Sequence, residues 1–462
     1  MTGQLRAFVV AGTHSGVGKT TVTVGLVGAL RARGLGVAPF KAGPDYIDPT
    51  YHTAAAGQPS RNLDTWLMPR DAIRRSFDRG AGRADIVVVE GVMGLFDGKD
   101  NELDDGSTAS LAKLLGLPVV LVVDARAMSG SAAALVHGYA SFDADVNLCG
   151  VILNNLGSDH HYELARDAVE RHTGVPVFGG ILRSDGLVLP ERHLGLIPEP
   201  ERAAASVIGE AARIVAQRVD IDALLARTQI ARRAEPSRQP RPVSDRVPIA
   251  VARDEAFSFY YEDGLDALAE AGAELLSFSP LHDRCLPAGA RGLYIGGGFP
   301  EVFAAGLAEN HPMREDIRQF GLTGAPVFAE CGGHMYLGES LTDQQGVTHP
   351  MVGLTPVCST LAGTRLTLGY RTATSLRDGP LGPAGTVIRG HEFHLSTSTP
   401  PADDDACWRV EGSPVTAGGF ARGGTWSSYL HLHFGAQPEL ARSFVKACAA
   451  GTAVGTRSGG RA

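Results

Sequence analysis

The sequence predicts an α/β protein of two domains, each built on a largely parallel β-sheet, and three observations carry that prediction. First, short apolar runs at 8–11, 37–41, 86–90, 119–124 and 151–154 alternate with helical stretches such as 25–33 and 132–140. Each run leads into Gly, Asp, Glu or Asn. Continuous apolar strands signal burial on both faces, and ligand-facing loops leave such a sheet at the carboxyl ends of its strands. Second, the pattern lapses at 232–247, RRAEPSRQPRPVSDRV, which is rich in Arg, Pro and Ser and has little to bury. Third, strands resume at 248–252, 275–279, 292–295 and 327–330.

The expected organisation is a first α/β domain at 1–200, a helix and linker at 201–246, a second α/β domain at 247–440, and a helix end and tail at 441–462. One long helix is expected at 203–227, and the Gly-, Ser- and Arg-rich composition of 451–462 predicts disorder. A chain of 462 residues is long enough for two or three cores.

Composition narrows the function classes. A net charge of −8, with no block of positive charge, argues against a general nucleic-acid binder. The six cysteines form no C-x-x-C pair, so neither a zinc ribbon nor a disulfide framework is expected. No apolar run approaches the ~18–20 residues of a membrane span, and no basic-then-apolar leader is evident. The expectation is a cytoplasmic enzyme of small molecules, without nucleic-acid or membrane partners, with homodimerisation left open.

Residues 12–20, GTHSGVGKT, directly follow the first apolar run. Glycines let backbone N–H groups turn around phosphate oxygens, and the next helix adds its N-terminal dipole. Gly12, Thr13, Ser15, Gly16, Val17, Gly18, Lys19, Thr20 and Thr21 form the expected ATP loop. Lys19 would bridge the β- and γ-phosphates, and Thr20 would ligand Mg²⁺. The first glycine stands one position earlier than the strict P-loop pattern requires, with Thr13 in its place. That spacing resembles the dethiobiotin-synthetase-like branch of P-loop proteins. His14 and Ser15 stand where partition ATPases carry an additional lysine, which disfavours a partner-activated switch.

Phosphoryl transfer needs carboxylates to hold Mg²⁺ and orient the attacking group. The segments KAGPDYID at 41–48, RNLD at 61–64 and EGVMGLFD at 90–97 supply them. Thr20, Asp64 and Glu90 are the expected metal ligands, and Lys41, Asp45, Asp48 and Asp97 the expected acid-activating set. Asn154 would hydrogen-bond a nucleotide base or cap a turn.

The second half carries a different chemistry. VFAECGGHM places Cys331 at a strand end before two glycines and a helix, the strand–turn–helix form of a nucleophile elbow, with small neighbours that would expose the sulfur. A thiol needs a base, and SYLHLHF offers His431 and His433, which strand alternation would place on one face. Gly297 and Gly298 in IGGGFPE offer adjacent N–H groups for an oxyanion.

GGGFPE, AECGGHMYLG and SYLHLHF resemble the cobyrinic-acid family of class I glutamine amidotransferase ligases. With GTHSGVGKTT, KAGPDYIDP and VEGVMGLFDG, the likeness to its a,c-diamide synthases covers about residues 5–440. It implies a class I amidotransferase fold for the second domain, and ATP- and glutamine-dependent amidation of the a- and c-acetate carboxylates of (hydrogeno)cobyrinic acid in cobalamin biosynthesis. The implied partners are the corrinoid, L-glutamine and ATP, with Lys41, Arg61 and His52 as candidate contacts for a polyanionic ring. The Tyr-Leu-His pattern favours His431 over His433. The broader class has His-Pro-Glu; here Leu432 and His433 follow, leaving a Cys331–His431 pair without a local third carboxylate. Two other readings stay open: cobyric acid synthase-type amidation, disfavoured because a Tyr-x-His-Gly ending is missing, and a regulatory P-loop ATPase with a degenerate second domain. His391 and His394 in GHEFH, three apart on a strand, would face opposite sides, which suits a structural or interdomain role better than zinc.

Overall fold

The structure, a computed structural model, describes residues 4–82, 84–186, 201–231, 246–400, 403–411 and 417–451. They fall into two compact units, one up to 231 and one from 246. Most of the expected linker at 232–247 and of the expected tail at 451–462 lies outside the described residues.

In the first unit, β1 (Gln4–Gly12), β2 (Val37–Ala42), β3 (Arg61–Leu63), β4 (Ile86–Glu90), β5 (Val119–Asp124), β6 (Leu148–Leu156) and β7 (Val177–Leu182) make a parallel sheet in the order β3-β2-β4-β1-β5-β6-β7. A short β8 (Gln229–Ala231) adds antiparallel to β1. The crossovers carry α1 (Lys19–Ala32), α2 (Asp48–Ala56), α3 (Arg70–Ala81), α4 (Thr108–Leu115), α5 (Gly130–Phe142) and α6 (Asp159–Thr173). Phe8, Val10, Ile86, Val88, Val120 and Val122 face one core, and their neighbours Val9, Val87, Val89 and Leu121 are buried as well. Burial on both faces is why these strands read as unbroken apolar runs. Strand order reverses at β1, so the loop after Gly12 opens where ligands of doubly wound sheets sit. The pattern did not single out β3, which is three residues long, or β7, whose VFGGIL is diluted by glycine.

The single helix expected at 203–227 is two, α7 (Glu201–Arg218) and α8 (Ile221–Ala226). The break has a local cause. Val219 bridges to Gly179 of β7, and the Asp220 carboxylate caps α8 by accepting from Ala223 N at 2.9 Å.

In the second unit, β9 (Val247–Ala252), β10 (Phe257–Phe259), α9 (Glu262–Glu270), β11 (Ala273–Phe278), β12 (Gly292–Ile295), β13 (Gly297–Gly298), α10 (Ala304–Glu309), α11 (His311–Leu322), β14 (Val327–Glu330) and α12 (Gly332–Leu337) follow in order. Next come β15 (Ser340–Thr342), β16 (Thr348–Pro350), β17 (Cys358–Thr360), β18 (Thr367–Ser375), β19 (Val387–His394) and β20 (Thr397–Ser398). The chain closes with β21 (Trp408–Glu411), β22 (Ala417–Gly418), β23 (Phe420–Arg422), β24 (Thr425–Ser428), β25 (His431–Leu432) and α13 (Pro438–Ala450). The main sheet runs β11-β9-β12-β14-β24-β23, parallel except for β23. Cores cover both of its faces, one around Phe328, Trp426, Phe434 and Phe444 and the other around Phe257, Leu293, Val327 and Tyr336. The antiparallel sheet β22-β21-β18-β19-β25 escaped the sequence reading, because β18 and β19 mix Thr, Gly, Arg and His and are only partly buried.

Gly179 is where the α7–α8 break docks: a Cβ there would overlap the Arg218 carbonyl oxygen and stand 2.7 Å from Val219 Cα. Gly179→Ala is expected to lower stability by about 1–3 kcal/mol, as overpacking does, read as a fall in the thermal unfolding midpoint.

Candidate active sites

The first site grows from the loop between β1 and α1. Gly16 and Gly18 adopt left-handed φ of 82° and 95°, which turn the backbone around the loop. Asn154, at the end region of β6, donates from Nδ2 to Val17 O at 2.8 Å, and Tyr139 Oη donates to Thr13 O at 2.5 Å. Asn154 therefore braces the loop backbone, where the sequence left a base contact or a turn cap open. Lys19 Nζ donates to His14 O at 3.2 Å. Burial first, and the Lys41 charge second, lower its pKa to about 8.

Behind the loop lies a buried carboxylate network. Glu90 is fully buried and accepts from Thr20 Oγ1 at 2.7 Å and from Lys41 Nζ at 2.9 Å, while His52 Nε2 lies 2.5 Å from its other oxygen. Lys41 also pairs with Asp48 at 2.9 Å, and Asp48 Oδ2 lies 3.4 Å from Thr20 Oγ1. Burial works against the Lys41 ammonium, yet Asp48, Glu90 and Asp45 outweigh it and raise its pKa. Asp45 accepts from the N–H groups of Ile47 and Asp48, and burial plus the neighbouring Asp48 raise its carboxyl.

Asp64 sits differently from the expectation. Its Oδ1 accepts from Trp66 N at 2.8 Å and Leu67 N at 2.7 Å, which shapes a turn; the carboxylates that meet Thr20 are Glu90 and Asp48. His52 is also corrected. It is fully buried against Glu90 and Ser60, where it supports the carboxylate instead of facing an open surface. Arg61 begins β3 with its Cδ beside Gly80 of α3, away from the strand's carboxyl end. Asp97 is exposed, with Oδ2 accepting from Gly94 N at 2.7 Å, and the same loop bonds to the phosphate loop through Leu95 N and Gly12 O.

The second site forms at the ends of β12 and β14. Cys331 has φ 49° and ψ −105°, a strained position for a residue with a Cβ, tied down by its N–H to Ser428 O at 2.8 Å. Glycines let three segments meet there. A Cβ on Gly297 would stand 2.5 Å from His431 Cε1, and one on Gly332 would stand 3.0 Å from Gly298 N. The structure thus gathers Cys331, Gly297, Gly298 and His431 at one locus. Instead of lying exposed, the cysteine is 4% accessible, and its thiol donates to Phe393 O of β19 at 3.7 Å. Burial first, and then the Glu301 carboxylate, push the thiol far above its usual range. Burial lowers His431 to about 3, aided by His391 and His394, so the ring is neutral at pH 7.

His433 does not share a strand face with His431, because β25 ends at Leu432. Its Nδ1 accepts from Ala436 N at 3.0 Å, and its ring stacks on Tyr261. The GHEFH stretch has a place as well. His391 pairs in register with His431, and the His394 ring stacks 3.7 Å from that of Tyr429.

Two family profiles cover most of the chain. Residues 8–197 match a CobQ/CobB/MinD/ParA nucleotide binding domain, and residues 248–439 match a CobB/CobQ-like glutamine amidotransferase domain. Curated relatives match almost end to end. The cobyrinate a,c-diamide synthase of Dehalococcoides mccartyi strain CBDB1 is 45% identical over 95% of this chain and 97% of its own. That of Synechococcus sp. is 44% identical over 97% and 99%, and that of Salmonella typhimurium 43% over 97% and 99%. The chain belongs to the cobyrinate a,c-diamide synthase family. As a member of the family it is a ligase that couples a nucleotide-binding domain to a glutamine amidotransferase domain.

Within this family member, Glu330, Glu301 and Phe393 stand near the cysteine, and Tyr294 meets Glu330, without having been singled out in the sequence. One signal was available: Glu330, like Glu90, is an acid closing an apolar run. Burial raises Glu301 to about 7. Since Cys331 is buried as a thiol, iodoacetamide is expected to label it at pH 7 at least about tenfold more slowly than the exposed Cys285. Peptide mass mapping of a time course without glutamine measures this.

Proposed function

We propose that this chain converts the a- and c-acetate carboxylates of cobyrinic acid, or of its cobalt-free hydrogenobyrinic counterpart, to amides in the cytoplasm, using ATP and glutamine. The observation that carries this reading is the union, in one chain related end to end to such synthases, of a phosphate loop backed by buried carboxylates with a strained cysteine at a strand end.

In the first unit, a substrate carboxylate oxygen attacks the γ-phosphorus of ATP, ADP leaves, and an acyl phosphate remains. Lys19 and the loop N–H groups hold the phosphates, and Asp45, Asp48, Asp97 and Lys41 orient the acid. Thr20, Glu90 and Asp48 offer hydroxyl and carboxylate oxygens of the kind Mg²⁺ takes, alongside nucleotide phosphates, and the ion would offset charge on the β- and γ-oxygens. In this reading Asp48 takes the place first given to Asp64.

In the second unit, His431 takes the Cys331 proton as the sulfur attacks the glutamine carboxamide carbon. The N–H groups of Gly297 and Gly298 meet the oxyanion. His431 then returns the proton to the departing ammonia, and water cleaves the thioester to glutamate. Ammonia displaces phosphate from the acyl phosphate and leaves the amide.

The test supplies ATP, Mg²⁺ and glutamine with either ring form and follows the products by mass spectrometry. Two amides are expected on at least one ring, and none on either would refute the substrate. Cys331→Ser should abolish glutamine-driven but not ammonia-driven amidation. Lys19→Ala should lower both by about 10²–10³-fold, as loss of a transition-state charge donor does.

A further inference from the structure

Cys331 follows a strand of one sheet and His431 lies on a strand of another. β14, which leads into Cys331, pairs with β12 and β24, whereas β25, which carries His431, pairs with β19. Among the described residues no strand ladder joins β14 to β25. A side chain does.

Glu330 is 2% exposed and immediately precedes Cys331. Its Oε1 accepts the N–H of Leu432, the neighbour of His431, at 2.6 Å, and its Oε2 meets the Tyr294 hydroxyl at 2.7 Å. Tyr294 belongs to β12 and is held by aromatic contacts, edge-on to Tyr260 and stacked on Phe328. One carboxyl therefore ties the backbone beside His431 to the strand of Cys331 and to a rigid wall. The residues after His431 are Leu432 and His433, so neither of the next two positions supplies a carboxylate to orient the ring.

We propose that Glu330 is the positioning residue of this glutaminase, holding His431 against Cys331 through the Leu432 backbone. The proposal rests on the reading of Cys331 and His431 as the reacting pair. Its action is geometric. Burial pushes the Glu330 carboxyl up to about 8, so at neutral pH it is an uncharged acid that lends no negative charge to an imidazolium. Glutamine can reproduce both contacts: its carbonyl accepts from Leu432 N–H, and its amide donates to the Tyr294 oxygen. Alanine reproduces neither.

The experiment uses the full chain with Glu330→Ala, Glu330→Gln and Tyr294→Phe, and compares glutamine-driven with ammonia-driven amidation. Misplacing a catalytic group by about 1 Å costs about 10²-fold. Glu330→Ala should therefore lower glutaminase kcat by about 10²-fold with KM for glutamine within about twofold. Ammonia-driven amidation should stay within about twofold of wild type. Glu330→Gln should restore kcat to within about threefold, and Tyr294→Phe, which removes one of the two contacts, should fall between. Wild-type glutaminase in Glu330→Ala, or equal loss in the Gln and Ala variants, would overturn the proposal. If the Ala variant does not fold, Gln and Tyr294→Phe decide: near-normal kcat in the first with a several-fold loss in the second supports it, and the reverse order refutes it. Glutamine hydrolysis persisting in Cys331→Ser would instead refute the reacting pair itself.

Discussion

Each unit hangs its site on a buried carboxyl at the carboxyl end of a central parallel strand. Glu90 closes β4 and Glu330 closes β14, both after runs of apolar residues and both almost without solvent access. A carboxyl so placed must be paired or neutralised. The chain solves the two cases differently, and the difference sets what each site can do.

Around Glu90 the solution is charge. Lys41, His52 and Thr20 converge on it from β2, α2 and α1, so one anion gathers three elements behind the phosphate loop. Removing one partner of a buried pair costs about 3–5 kcal/mol. The network thus fixes these side chains relative to one another behind the loop. Around Glu330 the solution is neutrality. Burial outweighs the bonds from Leu432 N–H and the Tyr294 hydroxyl, which favour the carboxylate, and the acid joins two sheets without placing an anion beside a thiol already pushed up by burial.

The second site is held in a resting form. The Cys331 thiol donates to the Phe393 carbonyl, and burial favours the protonated sulfur. His431, lowered to about 3 by burial, is neutral as well. In the reaction proposed above, proton transfer would therefore accompany attack of the sulfur on glutamine.

The residues alone determined the parallel-sheet architecture, because doubly buried strands must be apolar throughout: β4, β5, β12 and β14 lie where the runs at 86–90, 119–124, 292–295 and 327–330 placed them. The phosphate loop, the cysteine turn and the glycine loop were equally legible as turns, since each needs glycine where the backbone turns sharply or segments meet closely. Partners across the fold were not. That Asp48 rather than Asp64 meets Thr20, that His52 is sealed under Glu90, and that Asn154 braces the loop depend on residues tens of positions apart. The break between α7 and α8 came from a strand contact, and β18 and β19 were hidden because half-exposed strands carry no continuous apolar run. Local sequence records which chemistry each strand end can offer; only packing decides which side chain fills the space beside it, because that choice belongs to the neighbouring elements.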